Sequence, residues 1–141
     1  MANERTIFER LLDPKPDRDR SYASRERRKQ ALVYSIMRHL RDLLNSRQGC
    51  CEILEDYGMP DLESKHDGRI MLAAEMESEI RRMINRYEPR LASVHVRMEQ
   101  TDELHMTPRF EITARLNVRD DFPKNVSFTT MVDPLGKFNV S

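Results

Sequence analysis

Hydrophobic residues recur at helical spacing over two long stretches in the first part of the chain. In the first stretch, which ends near Asn45, one apolar row is flanked by further apolar positions, and arginines occupy the other sides. The members of this row are Leu32, Ile36, Leu40 and Leu43. The second stretch runs from about Gly68 to Tyr87 and ends before Pro89, because the residue before a proline is pushed out of the helical region. The pattern predicts two amphipathic helices, each with one face towards a core.

From residue 92 onward the hydrophobic period changes to two, which is typical of strands with one buried face. The alternating apolar positions are Ala92, Val94, Val96 and Met98, then Phe110, Ile112, Ala114, Leu116 and Val118, and then Val126, Phe128, Thr130 and Val132. Short polar links between them predict antiparallel hairpins, and Phe138 and Val140 add a short edge strand. Helices followed by strands favour an α+β fold, with two main helices packed on one face of a three- to four-stranded antiparallel sheet.

A short apolar helical turn at the start of the chain forms an N-terminal arm. It contains Phe8, Leu11 and Leu12, and residues 13–20 follow it as a linker with two prolines and alternating charges. We therefore divide the chain into a docking arm and linker at 1–22 and an α+β domain at 23–141. Two interpretations of the arm stay open: it packs on its own domain, or its three large side chains fill a groove on a partner.

The charge balance excludes several classes of partner. The chain has 24 basic and 24 acidic residues, so no net charge draws it to nucleic acid or to an anionic membrane. We see no secretory signal and no apolar run long enough to span a bilayer. The two cysteines, Cys50 and Cys51, are neighbours and do not make a disulfide framework. These features predict a cytoplasmic protein without membrane insertion and without a nucleic-acid partner.

Candidate chemistry is sparse along the sequence. The histidines and cysteines lack zinc-ligand spacing, the four glycines are too far apart to cradle a phosphate, and no nucleophile motif is present. We therefore expect no catalytic residue, no metal, no cofactor and no small-molecule substrate. Paired carboxylates, as in glycosidases, are harder to exclude. The available acids are Glu75, Glu79, Glu88, Asp102 and Glu103.

One corner of the sequence breaks a local rule. Glu88-Pro89-Arg90-Leu91 lies where the second helix meets the first strand. A glutamate is poorly placed beside the negative end of a helix, whereas an arginine is well placed there. We predict that Glu88 and Arg90 project from a corner stiffened by Pro89 and form a partner-binding site with Leu91. The alternative is an internal Glu88–Arg90 pair or an arginine cap on the helix end.

Four segments together resemble one known family. They are Phe8-Glu9-Arg10-Leu11-Leu12, Leu43-Leu44-Asn45-Ser46-Arg47, Tyr57-Gly58-Met59-Pro60-Asp61-Leu62 and Tyr87-Glu88-Pro89-Arg90-Leu91. In this order and spacing they resemble the TssE family, the baseplate wedge component of type VI secretion systems, which is similar to the lysozyme-like wedge protein of contractile phage tails. The family usually has threonine where this chain has Ser46.

The resemblance implies a structural role in the cytoplasm. Its expected partners are the other wedge proteins TssF and TssG, near the base of the contractile sheath, with the sheath itself as a further candidate. No motif in the sequence supports the enzymatic activity that the lysozyme-like label suggests. The alternative function is a peptidoglycan-cleaving hydrolase.

Overall fold

Two helices precede one sheet in the part of the chain that the structure, a computed structural model, describes. That part comprises residues 22–50, 52–59, 69–99, 107–120 and 122–141. Helices α1 (Tyr22–Asn45) and α2 (Arg69–Tyr87) are followed by strands β1 (Leu91–Glu99), β2 (Arg109–Leu116), β3 (Asn125–Val132) and β4 (Phe138–Val140). The strands pair in chain order, each antiparallel to the next. The predicted α+β fold is confirmed, and the N-terminal arm lies outside the described residues.

The core lies between the helices and one face of the sheet, because the apolar rows of both helices meet the inward side chains of the strands. α2 packs mainly on β1, and α1 packs on β4. The buried positions include Leu32, Ile36, Leu40, Ile80, Ile84, Ile112, Leu116 and Phe128. Strand β2 follows the predicted alternation, with inward residues buried and outward residues exposed or partly buried. The period of the sequence therefore gives the correct core face for both helices and for this strand.

Strand β1 departs from simple alternation at a β-bulge. Its register against β2 shifts between Ala92 and His95, and Ser93 adopts a positive φ of 52°. As a result Leu91 and Val94 are both buried although they are three residues apart. A bulge inserts one extra residue and re-aims the side chains before it. Because of this extra residue, the first side chain of β1 that is buried in the core is Leu91 and not Ala92.

The loop after α1 returns to the end of that helix. Met59 N–H donates to Ser46 C=O at 2.7 Å, and Gln48 N–H donates to Met59 C=O at 3.1 Å. Gly58 has a φ of +104°, and a β-carbon there would come within 2.5 Å of the Ser46 carbonyl oxygen. A side chain is therefore excluded at position 58 both by backbone conformation and by space. Two of the segments that carry the family resemblance are thus in direct contact.

A buried hydroxyl marks a place where the core is not optimal. Thr130 is fully buried opposite Phe110, and its Oγ1 has no hydrogen-bond partner within the described part of the chain. Replacing Thr130 by valine keeps the shape and removes an unsatisfied polar group, so we expect Thr130→Val to raise the free energy of unfolding by about 1 kcal/mol. Urea unfolding measures this change, with Thr129→Val on the outer face as a control near zero. A less stable Thr130→Val would show that the hydroxyl is satisfied in solution.

Candidate functional site

Hydrogen bonds of the backbone hold the corner between α2 and β1 in place. Glu88 N–H donates to Ile84 C=O at 2.9 Å, which continues the helical pattern by one residue, and Leu91 N–H donates to Glu88 C=O at 3.2 Å. Asn117, just after β2, donates its N–H to Arg90 C=O at 2.7 Å and its side-chain amide to Pro89 C=O at 3.3 Å. The corner is therefore bonded to the helix before it and to the neighbouring strand.

The side chains of this corner form a buried ion pair. Arg90 Nε and Nη2 donate to the two carboxylate oxygens of Glu88 at 2.7 and 2.8 Å, and the Arg90 backbone N–H adds a contact of 3.2 Å to Oε1. Glu88 is 0% exposed and Arg90 is 6% exposed. A two-point contact of this kind matches the planar guanidinium to the carboxylate and fixes both orientations.

Helix α1 completes the network from the other side. Arg90 Nη1 donates to Ser35 Oγ at 2.8 Å, and His39 Nδ1 lies 2.7 Å from Glu88 Oε2. Ser35 and His39 are four residues apart and therefore lie on the same side of the helix, one turn apart. Both oxygens of Glu88 and all three nitrogens of the Arg90 guanidinium thus have partners. The network links α1, the end of α2 and the start of β1.

The surroundings of Glu88 stabilise its ionised form. Burial alone raises the pKa of a carboxyl group, but here the hydrogen bonds from Arg90 and His39, together with their charges, outweigh that effect. They lower the pKa of Glu88 from 4.5 to about 2. Glu88 is therefore an anion at neutral pH, and its charge is compensated inside the protein.

The four predicted residues of the corner do not share one orientation. Glu88 and Arg90 turn inward instead of projecting, because each satisfies the other and Ser35 and His39 take up the remaining contacts. Leu91 is also buried, in the core, and Pro89 is exposed. The prediction that the charged pair projects is thus wrong, and the internal pair is what forms. Partner binding by this corner remains a prediction, as does partner binding by Phe8, Leu11 and Leu12, which lie outside the described residues.

Sequence reasoning missed three residues that α1 contributes. His39 and Ser35 were given no role in the sequence analysis. The available signal was that Ser35 and His39 flank the apolar positions Ile36 and Leu40, which places them at the border of the core face. The third residue is Asn45, which marked the end of the first helix and contributed to the resemblance, but for which no contact was predicted.

Asn45 closes one edge of the sheet. Its side-chain amide donates to Phe138 C=O at 2.9 Å and accepts from Phe138 N–H at 2.9 Å, as a neighbouring strand would. Arg41 Nη2 donates to Val140 C=O at 3.3 Å. The outer edge of β4 is thus largely covered by the end of α1, which is one way in which proteins keep an edge strand from pairing with other chains.

The opposite edge is much less protected. β1 pairs with β2 on one side and has no neighbouring strand on the other among the described residues. Met98 N–H points away from β2 and donates to Glu77 Oε1 at 2.6 Å. Val96 lies two residues earlier, so its backbone groups point the same way. Among the residues that the structure describes, the outer edge of β1 around Val96 therefore has backbone donors and acceptors available for another strand.

Catalytic and metal sites find little support in the described part of the chain. There, no group of three or more histidine, cysteine or acidic side chains is arranged to hold a metal ion. Glu88 is the acid in that part that is fully buried, and Arg90 and His39 occupy both of its oxygens. No helix within the same ranges is long and apolar enough to cross a membrane.

A family profile and a solved structure both match this chain. The profile of the family described as baseplate wedge protein gp25 matches residues 30–121, more than half of the chain. A chain of a solved structure described as the baseplate complex from the type VI secretion system has the same fold, with a TM-score of 0.57 and 23% sequence identity. The match covers 74% of this chain and 97% of that chain. Curated proteins give no match.

The buried ion pair predicts that lysine does not replace Arg90. A lysine ammonium cannot contact both Glu88 oxygens and Ser35 in the geometry of the guanidinium, so at least one buried group loses its partner. We expect Arg90→Lys to lower the free energy of unfolding by about 1 to 3 kcal/mol. Arg82→Lys is the matched control, because Arg82 also contacts Glu79 through two nitrogens but on the surface. There the loss stays below about 1 kcal/mol. If Arg90→Lys and Arg82→Lys lowered the free energy of unfolding in urea by the same amount, burial of the ion pair would not explain the effect.

The lowered pKa of Glu88 predicts a loss of stability in acid. The group favours the folded state above its unfolded pKa of 4.5, and this contribution disappears as the pH falls towards about 2. The loss amounts to about 3 kcal/mol. Urea unfolding between pH 6 and pH 2 should show the gap between wild type and Glu88→Gln closing over this window. Carbon NMR of the Glu88 carboxyl gives an independent reading, and a midpoint near 4.5 in the folded protein would refute the assignment.

Proposed function

This chain belongs to the family of baseplate wedge protein gp25, and from that membership we propose that it is a structural subunit of the baseplate wedge of a type VI secretion system. The observation that carries the proposal is the family match over residues 30–121. The fold shared with a chain of the type VI baseplate complex supports it. The segments that resemble TssE add support, since two of them meet at Gly58 and Ser46 and a third forms the buried corner.

We place this subunit in the cytoplasm, among other wedge proteins near the base of the contractile sheath. Its proposed partners are TssF and TssG, with the sheath as a further candidate. No cofactor is needed for such a role, because the protein acts by holding surfaces in fixed positions. The small size of the domain supports this structural role as well. A domain with one core can contact several partners through its outer faces without having an active site.

The outer edge of β1 is the docking route that the geometry favours. An extended segment of a neighbouring protein can add a strand there, with backbone hydrogen bonds to Val96 supplying affinity. The edge of β4 is a poor alternative because Asn45 already occupies the backbone groups of Phe138. Because of this difference, the sheet can gain a further strand at the edge of β1 more readily than at the edge of β4.

The corner at Glu88-Pro89-Arg90-Leu91 is proposed to help binding mainly through rigidity. Its network holds α1 against the start of β1, so the exposed Pro89 and the β1 edge keep a fixed relation to the helix. A preorganised surface loses less entropy when it binds. We retain the arm residues Phe8, Leu11 and Leu12 as a second proposed contact, because an apolar turn on a linker suits a partner groove.

A peptidoglycan-cleaving activity is disfavoured by the chemistry of Glu88. A lysozyme-type general acid needs a raised pKa in an apolar pocket so that it holds a proton near neutral pH. Glu88 has the opposite shift, and its oxygens already bind Arg90 and His39. The matching family is described as baseplate wedge protein gp25, which supports a role without catalysis.

Co-purification tests the proposal directly. Wild-type protein expressed with TssF and TssG from the same gene cluster should elute with them from a size-exclusion column. Val96→Pro removes an outward N–H from β1 without removing a bond to β2, and proline is tolerated at such an edge position. We expect it to reduce recovery of the complex at least about tenfold, as for loss of an interface hot spot. Val96→Ala shortens the side chain, keeps the N–H and serves as the control.

Each outcome has a distinct meaning. Failure of the wild-type protein to co-purify would count against the wedge assignment. Normal assembly by folded Val96→Pro would remove the β1 edge as the docking route while leaving the assignment in place. For the corner, Arg90→Lys is measured well below its melting temperature. Undiminished assembly by that variant would show that the corner serves stability alone.

A further inference from the structure

A second surface lies on the side of α1 that faces away from the core. A row of five exposed side chains follows the helix there, formed by Arg27, Ala31, Tyr34, Arg38 and Arg41. Their spacing of four, three, four and three residues keeps all five on one narrow stripe. The stripe is opposite the fully buried Ile36. From end to end it extends about 21 Å, at 1.5 Å per residue.

Tyr34 gives this stripe an apolar centre. Its side chain is 60% exposed, although the large hydrophobic residues of α1 from Leu32 to Leu44 are otherwise buried wholly or in part. Ala31, one turn earlier, leaves space beside the ring for a side chain from another molecule. Tyrosine and arginine are among the residue types that most often carry binding energy at protein interfaces. An exposed tyrosine between arginines is therefore a suitable anchor.

The charge of the stripe is not neutralised within the described part of the chain. Arg27 and Arg38 have no carboxylate within 4 Å there, whereas Arg28 pairs with Asp120. Arg41 donates to the Val140 carbonyl, which leaves its positive charge uncompensated. The chain as a whole has zero net charge, so this is a local excess of positive charge on one helix face.

From this arrangement we infer that α1 docks an acidic amphipathic helix of a partner protein. Small apolar side chains of that helix pack over Ala31 and beside Tyr34, and its carboxylates contact Arg27, Arg38 and Arg41. The partner is helical because the alternating spacing of four and three produces the straight seam along which two helices pack. A second copy of this chain does not fit, since it would bring like charges together. The inference rests on this helix face and is independent of the baseplate assignment.

A defined peptide tests the inference on the isolated chain. The probe is a fluorescein-labelled synthetic helix of three heptads, with alanine and leucine along one face and glutamate on both flanks. Binding is followed by fluorescence anisotropy. Arg38→Glu and Tyr34→Ala should each weaken binding about fivefold or more, on the scale of an interface hot spot. Arg81→Glu makes the same charge change at an exposed position of α2 and should alter binding less than about twofold.

Further ligands separate the possible occupants. A peptide of the same composition in scrambled order, a 21-nucleotide single-stranded DNA and vesicles containing phosphatidylserine should all bind at least about tenfold more weakly than the helix. Equal weakening by Arg38→Glu and Arg81→Glu, or equal binding of the scrambled peptide, would overturn the inference. Tighter binding of DNA or vesicles would overturn it in favour of those partners. Because the substituted side chains are exposed, unchanged melting temperatures should accompany every variant.

Discussion

Glu88 and Arg90 lie inside the protein where α1, α2 and β1 meet, and their pairing constrains the surrounding structure. Either charge alone would carry a desolvation penalty of several kcal/mol, so each requires the other in a narrow geometry. Ser35 and His39 extend the requirement to α1. Their hydrogen bonds form only at one axial position and one rotation of this helix relative to the corner. Apolar contacts between helices tolerate small slides, whereas this set of short hydrogen bonds does not. The network thus fixes how the helical layer is placed on the sheet.

Much of the fold could be predicted from the periods of hydrophobicity, because each helix and strand has a single buried face. Ile36, Leu40 and Ile112 were assigned to the core on this basis, and all three are buried. The bulge at Ser93 could not be predicted, since an inserted residue leaves no mark on composition. It became visible only when the register between β1 and β2 was known.

The candidate site was located by sequence but given the wrong orientation. A Glu-Pro-Arg corner breaks the charge preference of a helix end, which identified Glu88 and Arg90 correctly as unusual. Whether such residues face outward depends on partners far away in sequence, and Ser35 and His39 are about fifty positions earlier. Rules that use only neighbouring residues in the sequence cannot predict contacts between residues so far apart. The role of Asn45 was hidden for the same reason, since its partner Phe138 is 93 residues away.

The link between Asn45 and Phe138 also bears on the order of events during synthesis. The end of α1 gains its partner on β4 only after 93 more residues have been added to the chain. At about 5 to 20 residues per second, the ribosome needs about 5 to 20 s for that interval. During this time the apolar face of α1 has no sheet to cover it, and the helix is marginal in water on its own. The nascent chain therefore exposes apolar surface of α1 that the folded domain buries, and it does so for several seconds although the domain is small.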